Sequence, residues 1–123
     1  MAEIRTFNCS LDAVVALPQV IKDAGFIFET LDSRCESAHR PFNFDGKLCT
    51  FARACVTRGS SRVTLAVGLG SFPLRNPDDE MAHIALGVRR SWLMPSKRTD
   101  ETHLADDIEH LLIHSRVGHI ESW

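Results

Sequence analysis

The last third of the chain carries histidines at helical spacing beside a carboxylate, a pattern that can bind a metal ion. On one helical stripe, at i, i+4, i+7 and i+11, lie His103, Asp107, His110 and His114. Two histidines one turn apart with a carboxylate nearby can coordinate Zn²⁺. The HExxH motif is absent, however, because Leu111 stands where its glutamate would be. We therefore interpret the stripe as a solvated helix flank, and we predict neither a metal site nor a cofactor.

The cysteines have spacings that fit neither a metal quartet nor an activated nucleophile. They are Cys9, Cys35, Cys49 and Cys55, and no CxxC motif occurs. Cys49 and Cys55 would lie about 20 Å apart on a straight strand, too far to chelate one ion. Cys35 or Cys55 could pair with His83 as nucleophile and base, but no motif would activate or orient that pair. We expect reduced, mostly buried thiols.

Two further patterns suggest ligand binding but lack the residues that would make them specific. The segment Gly68-Leu69-Gly70 ends a predicted strand without opening a helix, unlike a phosphate-binding loop. Phe51 beside Arg53 could stack on and neutralise single-stranded RNA. The net charge of -2 and the acidic stretch 100–109 oppose nucleic-acid binding. No motif names a reaction, so we assign no enzyme activity.

The composition is that of an ordinary globular protein, and we expect residues 1–123 to form a single domain. A chain of this length can build a core without disulfides or metal, and 44% hydrophobic with 24% charged residues is a typical balance. Met1–Arg5 lacks the apolar segment that export requires, and no apolar run could span a membrane. We therefore expect a cytoplasmic protein that does not contact membranes.

Alternating residue types on either side of a short polar loop predict a β-hairpin in the middle of the chain. The two strands would be Leu48–Thr57 and Arg62–Leu69, joined by Arg58–Ser61. Further strands are predicted at 3–9, 26–32 and 81–90, with a polar connection at 33–46 and an edge strand or tail at 119–123.

Two helices complete the predicted elements. Ser10 can cap a helix from Leu11 to Ala24, which Gly25 would end, although Pro18 interrupts its hydrogen bonding. A second helix would begin at Thr99 or Asp100, continue to about Arg116 and end at Gly118. The element order predicts a two-layer α+β domain, in which an antiparallel meander sheet of four or five strands carries both helices on one face. Residues 4–9 would lie at an edge of the sheet.

The two faces of this sheet differ in composition. Pairing Val56 with Val63 gathers the apolar residues on one face, which we expect the helices to cover. These residues are Leu48, Ala52, Ala54, Val56, Val63, Leu65, Val67 and Leu69, with Ala82, Ile84, Leu86 and Val88 from the next strand. The opposite face, which we call the reverse face, has Ala and Gly at its centre, residues that disfavour strands.

We predict that the reverse face binds a partner. Its candidate site residues are Phe51, Arg53, Arg62, Ala66, His83, Ala85 and Arg89. Small residues in a strand interior often mark the close approach of another molecule, and arginines at the border fit an interface rim. We expect a protein partner or a second copy of the chain. The alternative is an enzyme or ligand-binding protein that takes an anionic small molecule at this face. A third interpretation is a polar sheet face that simply tolerates Ala and Gly.

Overall fold

Two helices pack on one face of an antiparallel sheet in the computed structural model, which describes residues 2–36, 40–69, 81–89, 95–114 and 120–122. The predicted two-layer α+β fold is therefore confirmed. In chain order the elements are β1 (Ala2–Ser10), α1 (Leu11–Asp23), β2 (Ile27–Arg34), β3 (Phe42–Phe44), β4 (Lys47–Cys49), β5 (Phe51–Arg58), β6 (Ser61–Leu69), β7 (Met81–Arg89), α2 (Pro95–His114) and β8 (Ile120–Ser122).

The five long strands follow one another across the sheet in the order β2-β5-β6-β7-β1, and the three-residue β8 pairs on the far side of β1. The helix α1 carries the chain from β1 at one side of the sheet to β2 at the other. From β2 the strands then return as the predicted meander until β7 pairs with β1. The first strand was predicted to lie at an edge of the sheet. It is the outermost long strand, and the short β8 pairs with its outer side.

The β5–β6 hairpin has the predicted register. Val56 lies opposite Val63, and the neighbouring pairs join Ala54 to Leu65 and Ala52 to Val67. The strands continue to Arg58 and Ser61, so the loop itself contains only two residues. Gly59 adopts a φ of 61°, a left-handed conformation that tight hairpin turns require and glycine supplies at little cost.

Leu48 departs from its predicted place in the core and is 66% exposed. The predicted strand is divided at Thr50, whose backbone N–H donates to the Arg34 carbonyl at 2.8 Å. The residues before this division belong to β4. This strand pairs with β3, which lies within the predicted connection 33–46, and the two strands form a separate sheet. Because the alternation of faces does not continue through the division, Leu48 turns outward while Ala52 and Ala54 stay inside.

The small β3–β4 hairpin is fastened to the rest of the fold by its turn. Asp45 and Gly46 both have positive φ, as a two-residue type I′ turn requires. The Asp45 carboxylate accepts hydrogen bonds from Lys22 of α1 at 2.9 Å and Thr30 of β2 at 3.1 Å. The bond from Lys22 is the main cause that lowers the pKa of Asp45.

Both helices begin with residues suited to helix starts. The Ser10 hydroxyl accepts from the Ala13 backbone N–H at 3.2 Å, and α1 continues through Pro18 to Asp23. The helix α2 begins at Pro95, earlier than the predicted Thr99 or Asp100, because proline is well accommodated at a first helical position. The predicted stop at Gly118 lies outside the described residues.

The core lies between the helices and the sheet. Both helices contribute fully buried side chains, which include Val14, Ile21, Leu104, Ile108 and Leu112. Ion pairs at the margins hold α2 in place: Arg5 donates to Asp106 at 2.6 Å and to Glu109 at 2.8 Å, and Arg58 pairs with Asp107. Within the described residues, no helix has the length and apolar character needed to cross a membrane.

The alternation of β6 can be tested with two neighbouring substitutions. Leu65 is fully buried and Thr64 is exposed. We expect Leu65→Asp to lower the free energy of unfolding by at least about 4 kcal/mol, because it removes a buried side chain and buries an unpaired charge. Thr64→Asp should cost about 0.5 kcal/mol. If urea denaturation shows that both substitutions lower the free energy of unfolding equally, the faces assigned to Leu65 and Thr64 are wrong.

Candidate functional site

The reverse face is arranged as three rows of side chains that cross β5, β6 and β7. The first row contains Phe51, Gly68 and His83, the second Arg53, Ala66 and Ala85, and the third Cys55, Thr64 and Gly87. Six of the seven predicted site residues therefore belong to one surface, with Arg62 beyond the third row. The seventh, Arg89, lies in β7 opposite Ala2, and its side chain is outside what the structure describes.

Gly68 is needed because two rings of the protein itself lie over it. A Cβ at this position would be 3.0 Å from Cε1 of His83 and 3.4 Å from Cδ2 of Phe51. Gly68 is consequently buried. A glycine in a strand predicted that another molecule approaches this position closely. At Gly68, side chains of the same chain make that approach instead. The Arg34 guanidinium also stacks on Phe51, at 4.5 Å from the ring centroid.

The His83 ring itself is half-buried. Burial disfavours the charged imidazolium and lowers the pKa of His83 from its ordinary value. Burial thus favours the neutral imidazole, which can donate from one nitrogen and accept at the other. Cys55 belongs to the third row, about 13 Å from the first along the strands, so the pairing of Cys55 with His83 considered from the sequence is not formed.

The second row has small residues at its centre and an ion pair at its border. Arg53 Nε donates to the two Asp32 carboxylate oxygens at 3.0 and 3.2 Å. This hydrogen bond is the main cause that lowers the pKa of Asp32. Ala66 and Ala85, directly opposite one another, are half-exposed. The positive charge of Arg53 is thus offset by its neighbour, while the alanine pair stays accessible.

Arg62 differs from Arg53 in lacking a carboxylate partner. Its Nε donates to the Cys55 sulfur at 2.8 Å, and its side chain is exposed and forms no ion pair with any described residue. The predicted border arginines are therefore not equivalent. Arg62 has an uncompensated charge, whereas the charge of Arg53 is balanced.

One end of the reverse face forms a shallow cavity of about 210 Å³ next to the first row. Its lining is Arg34, Glu36, Thr50, Phe51, Gly68, Leu69 and His83. Arg34 Nε lies 3.6 Å from the Glu36 carboxylate, so the cavity contains charges of both signs. Asp32, Arg34 and Glu36 were not among the predicted site residues. A register shift between Thr30 and Asp32 brings Asp32 and Arg34 to this face, and no residue type in β2 signals that shift.

The described elements leave most of the reverse face open, and Glu101 of α2 lines a cavity only at the end near Arg62. Arg53, Arg62 and Thr64 are exposed, and both helices pack on the opposite face. Exposed isoleucines lie at two sides of the face: Ile4 is 67% exposed beyond Gly87, and Ile27 is 65% exposed on β2. The face therefore has small alanine side chains at its centre, with isoleucine and arginine side chains around them.

The histidine stripe of α2 lies on the exposed flank of that helix. His103, His110 and His114 are exposed, and the Asp107 carboxylate accepts from Arg58. The His110 and His114 rings lie 4.2 Å apart between centroids. Considering only the described residues, no group of three or more metal-binding side chains could hold an ion.

Three of the cysteines are buried and Cys35 is exposed, and all four are free thiols. Burial raises the pKa of the Cys9 thiol to about 12. Comparisons of the chain with protein-family models, with curated proteins and with solved structures found no match. The function is therefore argued from the reverse face itself.

Two glycines of the reverse face provide a matched test of its packing. A Cβ at Gly68 would press against two rings, whereas a Cβ at Gly87 would meet nothing closer than 3.8 Å. We expect Gly68→Ala to be less stable than Gly87→Ala by about 1 kcal/mol or more, because overpacking displaces the His83 ring. Chemical denaturation of both variants measures the difference. Equal stabilities would show that the rings do not constrain Gly68.

Proposed function

We propose that this chain is a small cytoplasmic, non-catalytic binding protein, such as an adaptor, chaperone, inhibitor or regulator, that docks a protein partner on its reverse face. The observation that supports this proposal is the half-exposed alanine pair at the centre of the sheet. Ala66 and Ala85 lie in one row with the Arg53–Asp32 ion pair, and the exposed Ile4 lies beyond Gly87 in the neighbouring row. An apolar centre of small side chains with a charged border is typical of a protein interface.

The composition of the face also argues against a surface that only meets water. Exposed strands usually carry long polar or β-branched side chains, which favour the strand conformation and shield its backbone. The centre of this face has alanine and glycine instead, which favour the strand conformation less and shield its backbone less. A partner that covers Ala66, Ala85 and Gly87 would bury their backbone and their neighbours' apolar atoms. This burial would compensate for the stability that the small residues do not provide. Arginine at the border, represented by Arg62, is among the residues that most often contribute interface energy.

A second function is favoured by one observation, the cavity of about 210 Å³ beside Phe51 and His83. Arg34 lines this cavity and could hold an anionic small molecule for binding or catalysis. Glu36 lines the same cavity close to Arg34, however, and offsets its charge. For this reason we place protein docking first.

The docking proposal is tested by placing charges at the centre of the reverse face. Ala66→Lys combined with Ala85→Glu should leave the fold nearly intact, because the new side chains lie directly opposite and can pair across the strands. The variant should lose binding to the partner or to a second copy, since two charges would be forced into the apolar centre of the interface.

The matched control is Val15→Lys with Ile113→Glu, which places the same charges on exposed apolar positions of the two helices. Light scattering measures solution mass, and affinity capture with each variant as bait measures partner binding. The control should behave like the wild type. If the alanine variant keeps the wild-type mass and captures the same partners, or if the wild type is a monomer that captures none, docking on this face is wrong.

A further inference from the structure

Glu101 is an exception among the acidic residues of α2. Three other carboxylates of this helix, Asp106, Asp107 and Glu109, accept hydrogen bonds from arginines. Glu101 is only 6% exposed, yet it forms no hydrogen bond or ion pair with any described residue. It lies on the same stripe of the helix as Leu104 and Ile108, which are fully buried core residues.

Within the described residues, no buried side-chain oxygen or nitrogen atom lacks a hydrogen-bond partner. Because the Glu101 carboxylate has no such partner, its oxygens are open to solvent, although most of the residue is buried. A ligand can therefore reach the carboxylate and supply a cationic donor to it.

Glu101 lines a cavity of about 260 Å³ at the end of the sheet where β6 begins and β7 ends. The other described residues of its lining are Arg62, Thr64 and Gly87. This volume suits a small organic molecule and lies just below the range of about 300–1,000 Å³ that drug-sized ligands occupy. Gly87 leaves its part of the wall open, since a Cβ there would meet nothing closer than 3.8 Å.

Arg62 brings the opposite charge to the same cavity. One of its five N–H groups is used by Cys55. The remaining four have no hydrogen-bond partner within the described part of the chain. Although Arg62 and Glu101 line one cavity, they do not form an ion pair. The space between a free guanidinium and a free carboxylate therefore suits a ligand that has both charges.

We propose that this cavity binds a small zwitterion of the α-amino-acid class, with the ligand's ammonium group on Glu101 and its carboxylate on Arg62. The guanidinium can hold a carboxylate with two parallel hydrogen bonds. The Thr64 hydroxyl adds a third polar contact, able to donate or accept. This site goes beyond the docking of a protein on the reverse face and does not rest on it.

The test is calorimetric titration of the purified protein with each of the proteinogenic L-amino acids in turn. The best ligand is then compared with its methyl ester, which lacks the carboxylate charge, and with its deamino acid, which lacks the ammonium group. Each analogue should bind at least about tenfold more weakly, because each loses one charge-assisted contact.

Two variants assign these losses to residues. Glu101→Gln should remove the preference over the deamino acid, and Arg62→Met should remove the preference over the methyl ester. Asp100→Asn and Lys47→Met are the matched controls, since each removes a charge of the same sign from an exposed position outside the cavity lining. Both controls should bind the amino acid as the wild type does.

The melting temperature of the free protein supplies a second measurement. Glu101→Gln should leave it nearly unchanged, since the substitution keeps the shape of the side chain and no described residue bonds to the carboxylate. A large fall would instead assign Glu101 a structural role and overturn the proposal. The absence of binding by every amino acid up to about 10 mM, equal binding of the ester, or unchanged preferences in both variants would also overturn it. If Glu101→Gln does not fold, the exposed Arg62 still provides the test. None of these variants changes Ala66 or Ala85, so failure here does not bear on protein docking.

Discussion

The structure depends on the register of the β5–β6 hairpin, because that register decides which side chains meet the helices. Val63, Leu65 and Val67 are fully buried in this arrangement, and the burial of each large aliphatic side chain contributes roughly 1.5–3 kcal/mol. A slip of one residue would exchange them for the side chains of the reverse face and lose the burial of all three. The core therefore determines the position of every residue on the opposite face.

The reverse face follows from that constraint and contains three different environments. Phe51 and His83 close over Gly68 at one end, which fills the site of one small residue with the chain's own rings. In the middle, Ala66 and Ala85 stay half-exposed. At the far end, Arg62 has no acidic partner and shares a cavity with the buried Glu101. The proposed docking surface and the proposed small-molecule site therefore occupy different parts of one sheet.

The hairpin register, the first helix and the two-layer fold could all be predicted from the sequence because alternation, helix capping and turn residues are local signals. The exposure of Leu48 could not, since it depends on a division of the strand at Thr50 that is stabilised by a hydrogen bond to the distant Arg34. Six of the predicted site residues lie together because period-two alternation assigns faces directly. The stacking of Arg34 and the isolation of Glu101 depend on tertiary contacts, which a residue pattern does not contain.

The central claim is that a partner covers the alanine pair when the protein works, and thiol labelling tests this directly. Ala66→Cys places a thiol at the centre of the face, and the exposed Cys35 serves as an internal reference. In dilute purified protein, an alkylating reagent should modify the two thiols at similar rates. In intact cells that make the protein, the account predicts that the introduced thiol is protected at least about tenfold relative to Cys35. Equal labelling of both thiols in cells would contradict it.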